Sequence, residues 1–333
     1  MAYQALPLKW GEITQEETKR VKSSFPVSDL NDLIRYENGM VMPRAYTKIA
    51  DNLYNFPLRE DDIWIVTYPK TGTTWTQEMV WMLVNDVDKE AANVPQMVRS
   101  PFLELACLTP LESLKAKDML PNDATLCKAL EDPIEYAKNM KGRRVLKTHL
   151  SMEFLPPQLL EKCKVIYVAR NPKDTAVSFY KHNLHVPSHG LVGTFDDFVK
   201  FFEDGPMVFG SYWHHVLSGW KVKDHSNVKF LWFEDMKKDQ KAVIEDLCKY
   251  LNHPLSPENI DALVSHVKFE NMSKNPMANP LAGMKQPKGG SFMRKGEVGD
   301  WKNFFTAERS EKWNKWIKEN TKGTGLEKLD IFM

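Results

Sequence analysis

The chain has 333 residues, 42% hydrophobic and 27% charged, enough to bury a full core as one large α/β domain or two smaller ones. Lys and Arg number 45 against 44 Asp and Glu, a net charge of +1, so no global basic field points to nucleic acid and any anion site has to be local. Four cysteines, Cys107, Cys127, Cys163 and Cys248, lie far apart with no C-x-x-C pair, which argues against a zinc site or disulfide framework and for a reducing compartment.

The first residues, MAYQALPLKWGEITQEE, show no basic stretch leading into an apolar one, and no run of about 18 apolar residues occurs anywhere. The expectation is a soluble cytoplasmic protein with no membrane partner. Short β-branched or aromatic runs then recur: Ile63–Thr67 (IWIVT), Arg144–Lys147 (RVLK), Val165–Val168 (VIYV) and Val228–Phe233 (VKFLWF). Each is apolar on both faces, as a buried parallel strand is. Helical patterns intervene at Thr76–Asn85, Pro156–Glu161, Thr175–Lys181, Thr194–Glu203 and Gln240–Leu251. The alternation predicts an α/β fold, a central mostly parallel β-sheet flanked by helices. Right-handed crossovers would bring the C-terminal strand ends to one edge, where Lys70, His149 and Arg170 fall.

Two stretches read as irregular, Cys107–Gly142 with Pro110, Pro121 and Pro133, and Asn275–Gly290 (NPMANPLAGMKQPKGG). Long loops inside a compact domain are more often lids than accidents. Neither has the composition of an interdomain linker, so the chain reads as a single domain over 1–333.

The run TYPKTGTTW, Thr67 to Trp75, follows the first strand and opens a helix. A strand, a Gly/Thr-rich turn with one Lys, and a helix N-terminus form a phosphate cradle, here P-loop-like. It is not a Walker A loop, because Lys70 precedes Gly72. Lys70, the hydroxyls of Thr73 and Thr74, and the amides from Thr71 to Trp75 would hold a 5′-phosphate, with Trp75 a flat wall for a base. The plainer reading is a strand–turn–helix junction with threonine caps.

Lys147 and His149 are two residues apart at the end of the second strand, so in extended chain they share a face. A neutral imidazole beside a cation is a general-base arrangement; a satisfied core histidine is the alternative. Ala169-Arg170-Asn171-Pro172-Lys173-Asp174 ends the third strand and starts a helix carrying Ser178, so Arg170 and Ser178 can grip a second phosphate, unless Arg170 is a surface residue of a βα loop. Phe292-Met293-Arg294-Lys295-Gly296 is a compact basic turn, for anions or merely for solvent. No Walker B Asp, no His/Cys cluster with metal spacing and no G-x-S-x-G elbow accompany these motifs, so no metal is expected.

Together the four segments resemble the signatures of the cytosolic sulfotransferase family: YPKTGTTW, KTHL, ARNPKDTAVSFY and FMRKGEVGDWK, in family order and spanning roughly residues 40 to 320. The resemblance implies 3′-phosphoadenosine 5′-phosphosulfate (PAPS) as sulfuryl donor and 3′-phosphoadenosine 5′-phosphate (PAP) as product. Lys70 to Trp75 would hold the 5′-phosphosulfate, and Arg170, Ser178, Arg294, Lys295 and Gly296 the 3′-phosphate. Trp75 and Phe269 would sandwich the adenine, with Phe233, Val267, Met272, Phe292 and Met293 around the nucleotide. His149 would deprotonate the acceptor hydroxyl while Lys70 and Lys147 stabilise the transition state.

The sequence also departs from the family pattern. Phe233 replaces the usual Tyr, and Val267 stands where Thr is common; each loses a polar contact. The dimer motif KxxxTVxxxE appears as Lys302–Glu311 with Ala307 at its centre, which weakens the case for a homodimer. The Cys107–Gly142 stretch resembles that of insect members, a retinol dehydratase among them, and would cover the acceptor pocket. Phe102 and His149 match acceptor-pocket positions of the family, His182 sits where members acting on small phenols carry Phe, and these three with Lys147 would contact the acceptor. Apolar walls with one base predict a small hydrophobic alcohol or phenol, and the reading favours a phenol over sterols and retinoids. The competing readings are a dehydratase acting through a transient sulfate ester, a nucleotide kinase and a non-catalytic nucleotide-binding protein.

Overall fold

The computed structural model describes residues 3–26, 28, 31–116, 118–186, 189–279 and 293–332. Three short strands, β1 (Trp10–Glu12), β2 (Leu33–Tyr36) and β3 (Val41–Pro43), form an antiparallel sheet in the order β1-β2-β3. Sequence reading did not anticipate it, since three or four residues are too few to show an alternation.

The four predicted apolar runs form one parallel sheet: β4 (Ile63–Thr67), β5 (Val145–Thr148), β6 (Lys164–Ala169) and β7 (Val228–Trp232), in the order β5-β4-β6-β7. In register, Ile65 faces Lys147 of β5 and Ile166 of β6. Both faces are covered. Trp64, Val66, Leu146, Val165 and Tyr167 enter a core shared with the N-terminal sheet and the helices Pro172–His185 and Tyr212–Trp220. Ile63, Ile65, Val145, Ile166 and Val168 pack under Thr73–Val84 and Gln240–Tyr250. Period-two alternation of the apolar residues in these strands thus feeds two cores, each fully buried large side chain contributing roughly 1.5–3 kcal/mol. At the opposite end from the site, Arg144 donates to Asp62 through Nε at 2.7 Å and Nη2 at 2.5 Å, both side chains fully buried.

Cys107–Gly142 is not irregular. It holds three helices, Leu111–Ala116, Ala124–Glu131 and Pro133–Asn139. Pro133 is the first residue of a helix capped by Asp132, Pro110 directly precedes the helix from Leu111, and Asp123 caps the helix between them. Leu114, Leu126, Ala129 and Leu130 form a small core of their own with Val98. Of this stretch's described residues, only Leu108 and Thr109 border the cavity described below, so these helices do not form the cover of the pocket that was expected. In the second stretch Pro276–Ala278 is a 3₁₀ turn, and 280–290 lies outside the described residues.

Candidate active site

β4 runs into Tyr68–Gly72, which is tied down before it meets any ligand. The Thr71 hydroxyl is shared between the Tyr68 and Val168 carbonyl oxygens, each at 2.9 Å. Its side chain therefore serves the loop and leaves only its main chain for binding. Lys70 has φ 70° and Gly72 φ 110°. A Cβ on Gly72 would lie 2.8 Å from the Phe233 ring, so this turn needs glycine for both space and conformation. The helix Thr73–Val84 begins at once, so its first N–H groups have no partner within the helix.

A cavity of about 870 Å³ opens at the C-terminal ends of the parallel strands. Lys70, Gly72, Thr73, Thr74 and Trp75 border it after β4, Lys147 and His149 at the end of β5 with Phe102 bridged beside Lys147, Arg170, Ser178 and His182 after β6, and Phe233 after β7. Val267, Phe269, Met272, Met293, Arg294, Lys295 and Gly296 close the far side. Of the residues singled out in the sequence, Thr71 alone among the described ones does not border the cavity, and Phe292 lies outside the described residues. Ser178 falls in the second turn of its helix, because Asn171 caps the chain early and the helix starts at Pro172.

Cations converge on the nucleotide half. Burial, then Lys147, Arg170 and Arg294, bring the Lys70 ammonium down to about 7. Arg170 donates to the Glu297 carbonyl at 2.8 Å and lies 4.3 Å over the Phe233 ring. Its buried Nε has no hydrogen-bond partner among the described residues, a donor left over for an anion. Asp300 pairs with Arg294 and, at 2.9 Å, with Lys295, holding both cations in place. Asp174, a helix-start residue by sequence, instead accepts from the N–H groups of Gly299 and Trp301 at 2.7 and 2.9 Å and fastens this C-terminal segment to the site. A Cβ on Gly296 would meet the Phe269 ring at 2.6 Å. The Trp75 indole is fixed by a 2.8 Å bond to the Val267 carbonyl oxygen.

His149 sits between the Phe102 and Phe209 rings, with centroids at 5.0 and 5.3 Å. Its Nδ1 lies 2.8 Å from the Thr67 carbonyl oxygen, which only accepts, so Nδ1 carries the proton and Nε2 keeps the lone pair. Burial, then the charge of Lys147, holds its pKa well below 6.5, so the ring is neutral. Lys147 stands 3.9 Å over the Phe102 ring, and burial pulls it down to about 8. The extended-chain expectation is met: Lys147 and His149 open onto one cavity.

With a neutral base, two lysines and an anion cradle at one sheet edge, comparison with known proteins decides the family. The sulfotransferase domain matches residues 60–325. The chain belongs to the sulfotransferase family. Luciferin sulfotransferase of Photinus pyralis is 36% identical over 291 residues, covering 84% of this chain and 77% of that protein, which fits the likeness to insect members. Sulfotransferase 1E1 of Homo sapiens is 37% identical over 307 residues, 90% of this chain and 97% of that one. Retinol dehydratase in complex with androsterone and inactive cofactor PAP superposes with a TM-score of 0.86 at 30% identity, covering 96% of this chain and 98% of that chain.

Sulfotransferase motifs did not single out several residues at the site. Phe209, with φ 74°, presses its ring on His149 from a loop without a recognisable pattern. Val21, Phe25 and Leu33 reach the acceptor half from the N-terminal segment. His189 stacks edge-on to His182 with centroids 4.9 Å apart, and His182 Nδ1 lies 3.4 Å from Lys70 Nζ. No sequence signal ties these to the site, since only the tertiary fold brings them there.

Proposed function

We propose that the chain transfers the sulfuryl group of PAPS to the hydroxyl of a hydrophobic acceptor, with His149 as general base. The observation that supports this best is the neutral His149, its Nε2 free to accept, opening onto the same cavity as Lys70, Lys147 and Arg170. The residues present fit the donor: the Arg170 Nε, without a hydrogen-bond partner among the described residues, and the glycines at 72 and 296, where a Cβ would collide, suit a closely held anion. When bound, PAPS supplies an electrophilic sulfur on a good leaving group.

Lys70 and the amides of Thr73 to Trp75 hold the 5′ end, and Arg170, Ser178, Arg294 and Lys295 the 3′-phosphate. Trp75 and Phe269 wall the base. Nε2 of His149 takes the acceptor proton, and the charges of Lys70 and Lys147 offset the negative charge that develops. Phe102, Phe209 and Met207 exclude water. Phenols suit this base because their hydroxyl is already acidic. The four cysteines are unpaired, in keeping with a reducing compartment, and among the described residues no helix is long and apolar enough to cross a membrane. Lys302 and Thr306 to Glu308 of the dimer motif are exposed, so a homodimer through them is open to measurement by light scattering.

A second reading, dehydration of an allylic alcohol through a sulfate ester, is supported by the retinol dehydratase superposition. The test is transfer of radiolabelled sulfate from PAPS, with no metal added, to phenols, sterols and retinoids. Labelled phenol supports the first reading. Retinol loss with free sulfate supports the second, and no turnover with PAP still bound refutes both.

A further inference from the structure

Taking the function proposed above, we propose that Glu104 and His215 are positioning residues that hold the His149 main chain from both sides and so aim its imidazole. Neither borders the cavity, and both are fully buried. Glu104 Oε1 accepts the His149 N–H at 2.5 Å. On the other side of the same residue, His215 Nε2 lies 3.0 Å from the His149 carbonyl oxygen. That oxygen only accepts, so Nε2 carries the His215 proton and Nδ1, 2.5 Å from the Tyr167 hydroxyl, accepts from it. The main chain of one residue is thus gripped by two side chains from different elements, while its ring is gripped by Thr67.

This arrangement is expensive for a merely structural role. A buried carboxylate costs several kcal/mol unless well paired. The second oxygen of Glu104 has no hydrogen-bond partner among the described residues. Burial pushes the Glu104 carboxyl up to about 7, and the His149 N–H is the largest of the influences that hold it down, ahead of the Thr148 side chain, its own main chain and the charge of Lys147. Misplacing a reacting group by about 1 Å costs on the order of a hundredfold in rate, which is the scale of effect such a grip protects. Glu104 also acts on Lys147, its charge raising the ammonium's proton affinity against the effect of burial. Lys147 faces Glu104, Lys70, His149 and His182. Glu104 is the one acidic group among these, and with burial pushing its pKa up to about 7 it is an anion above that pH, so its removal has a defined sign.

The experiment compares E104L and H215L, which remove the contacts, with E104Q and H215Q, which keep an acceptor and a donor. kcat and KM for a phenol, PAP affinity by calorimetry, and the His149 ring-nitrogen resonances in the PAP complex are measured. The expected result is a loss in kcat of about tenfold or more in the leucine variants with PAP affinity within about twofold, recovered in large part by glutamine. In E104Q the alkaline limb of kcat moves to lower pH, because Lys147 loses its anion. Leucine variants with wild-type kcat, or loss of PAP affinity in step with kcat, would overturn the proposal. If the leucine variants do not fold, an unmoved alkaline limb in E104Q overturns it. If the wild-type chain binds PAP but transfers nothing, the proposed function falls. The resonances then decide the clamp alone, which fails if they are unchanged in all four variants.

Discussion

Nδ1 of His149 lies 2.8 Å from the Thr67 carbonyl oxygen, so the last residue of β4 dictates which nitrogen at the end of β5 is basic. His149→Ala removes that base, and turnover is expected to fall by about 10²–10⁴-fold with PAP affinity nearly unchanged. Only the neutral ring accepts a proton, and burial beside Lys147 keeps its pKa well below 6.5. The acid limb of kcat is therefore expected below pH 6.5, and stopped-flow or radiolabel assays between pH 5 and 7 check it. Equal loss of turnover and PAP binding in His149→Ala would sink the base assignment.

Arg170→Ala is expected to weaken PAP far more than adenosine 5′-phosphate. A charge-assisted hydrogen bond contributes about 1.5–3 kcal/mol, a factor of about 10–150 in Kd. The discrimination arises because only PAP carries the 3′-phosphate; the guanidinium's bonds to the Lys70 and Glu297 carbonyls do not depend on the ligand, so their loss affects both nucleotides alike. Calorimetric titration with both nucleotides measures it, and equal weakening would refute a role at the 3′-phosphate.

What the sequence made legible follows from how local each signal is. The strands of the parallel sheet and the turn at Lys70–Gly72 were readable because β-branched runs and a Lys/Gly/Thr turn are written in consecutive residues. Lys147 and His149 were readable as a pair because i and i+2 share a face. Phe233 was placed at a strand end, yet the chain turns helical there, at Phe233–Lys238, and the ring packs on Gly72. The three helices within Cys107–Gly142 were misread because prolines that begin helices look the same in sequence as prolines that break them. Glu104, Phe209 and His215 were invisible because each reaches His149 from a distant part of the chain.

Gly72→Ala tests whether the turn is built as closely as it looks. The added methyl would lie 2.8 Å from the Phe233 ring at φ 110°. The strained conformation alone costs on the order of 1–3 kcal/mol. A lower Tm and weaker PAP binding are expected together. Gly72→Ala with Phe233→Ala relieves the contact but not the φ, so it is expected to recover only part of the loss. Differential scanning calorimetry of the single and double variants separates the two causes, and a single variant with wild-type Tm and PAP affinity would contradict the geometry.

The depressed Lys70 predicts a proton taken up on binding. Its pKa falls from 10.5 to about 7 because burial and the charges of Lys147, Arg170 and Arg294 all disfavour the ammonium. Between about pH 7 and 10.5 the folded chain therefore binds fewer protons at this residue than the unfolded chain, and this group's contribution to stability rises with pH across that window. A bound phosphate reverses the balance, since an anion against Lys70 favours the charged form. PAP affinity is expected to fall as pH rises through 7. At pH 8, calorimetry in buffers of different ionisation enthalpy should show uptake approaching about one proton per PAP. Lys147, brought down to about 8, adds to that uptake, so the Lys70→Met variant supplies the reference. Its uptake should be the smaller, and the same value in both proteins would show that Lys70 is already charged in the free site.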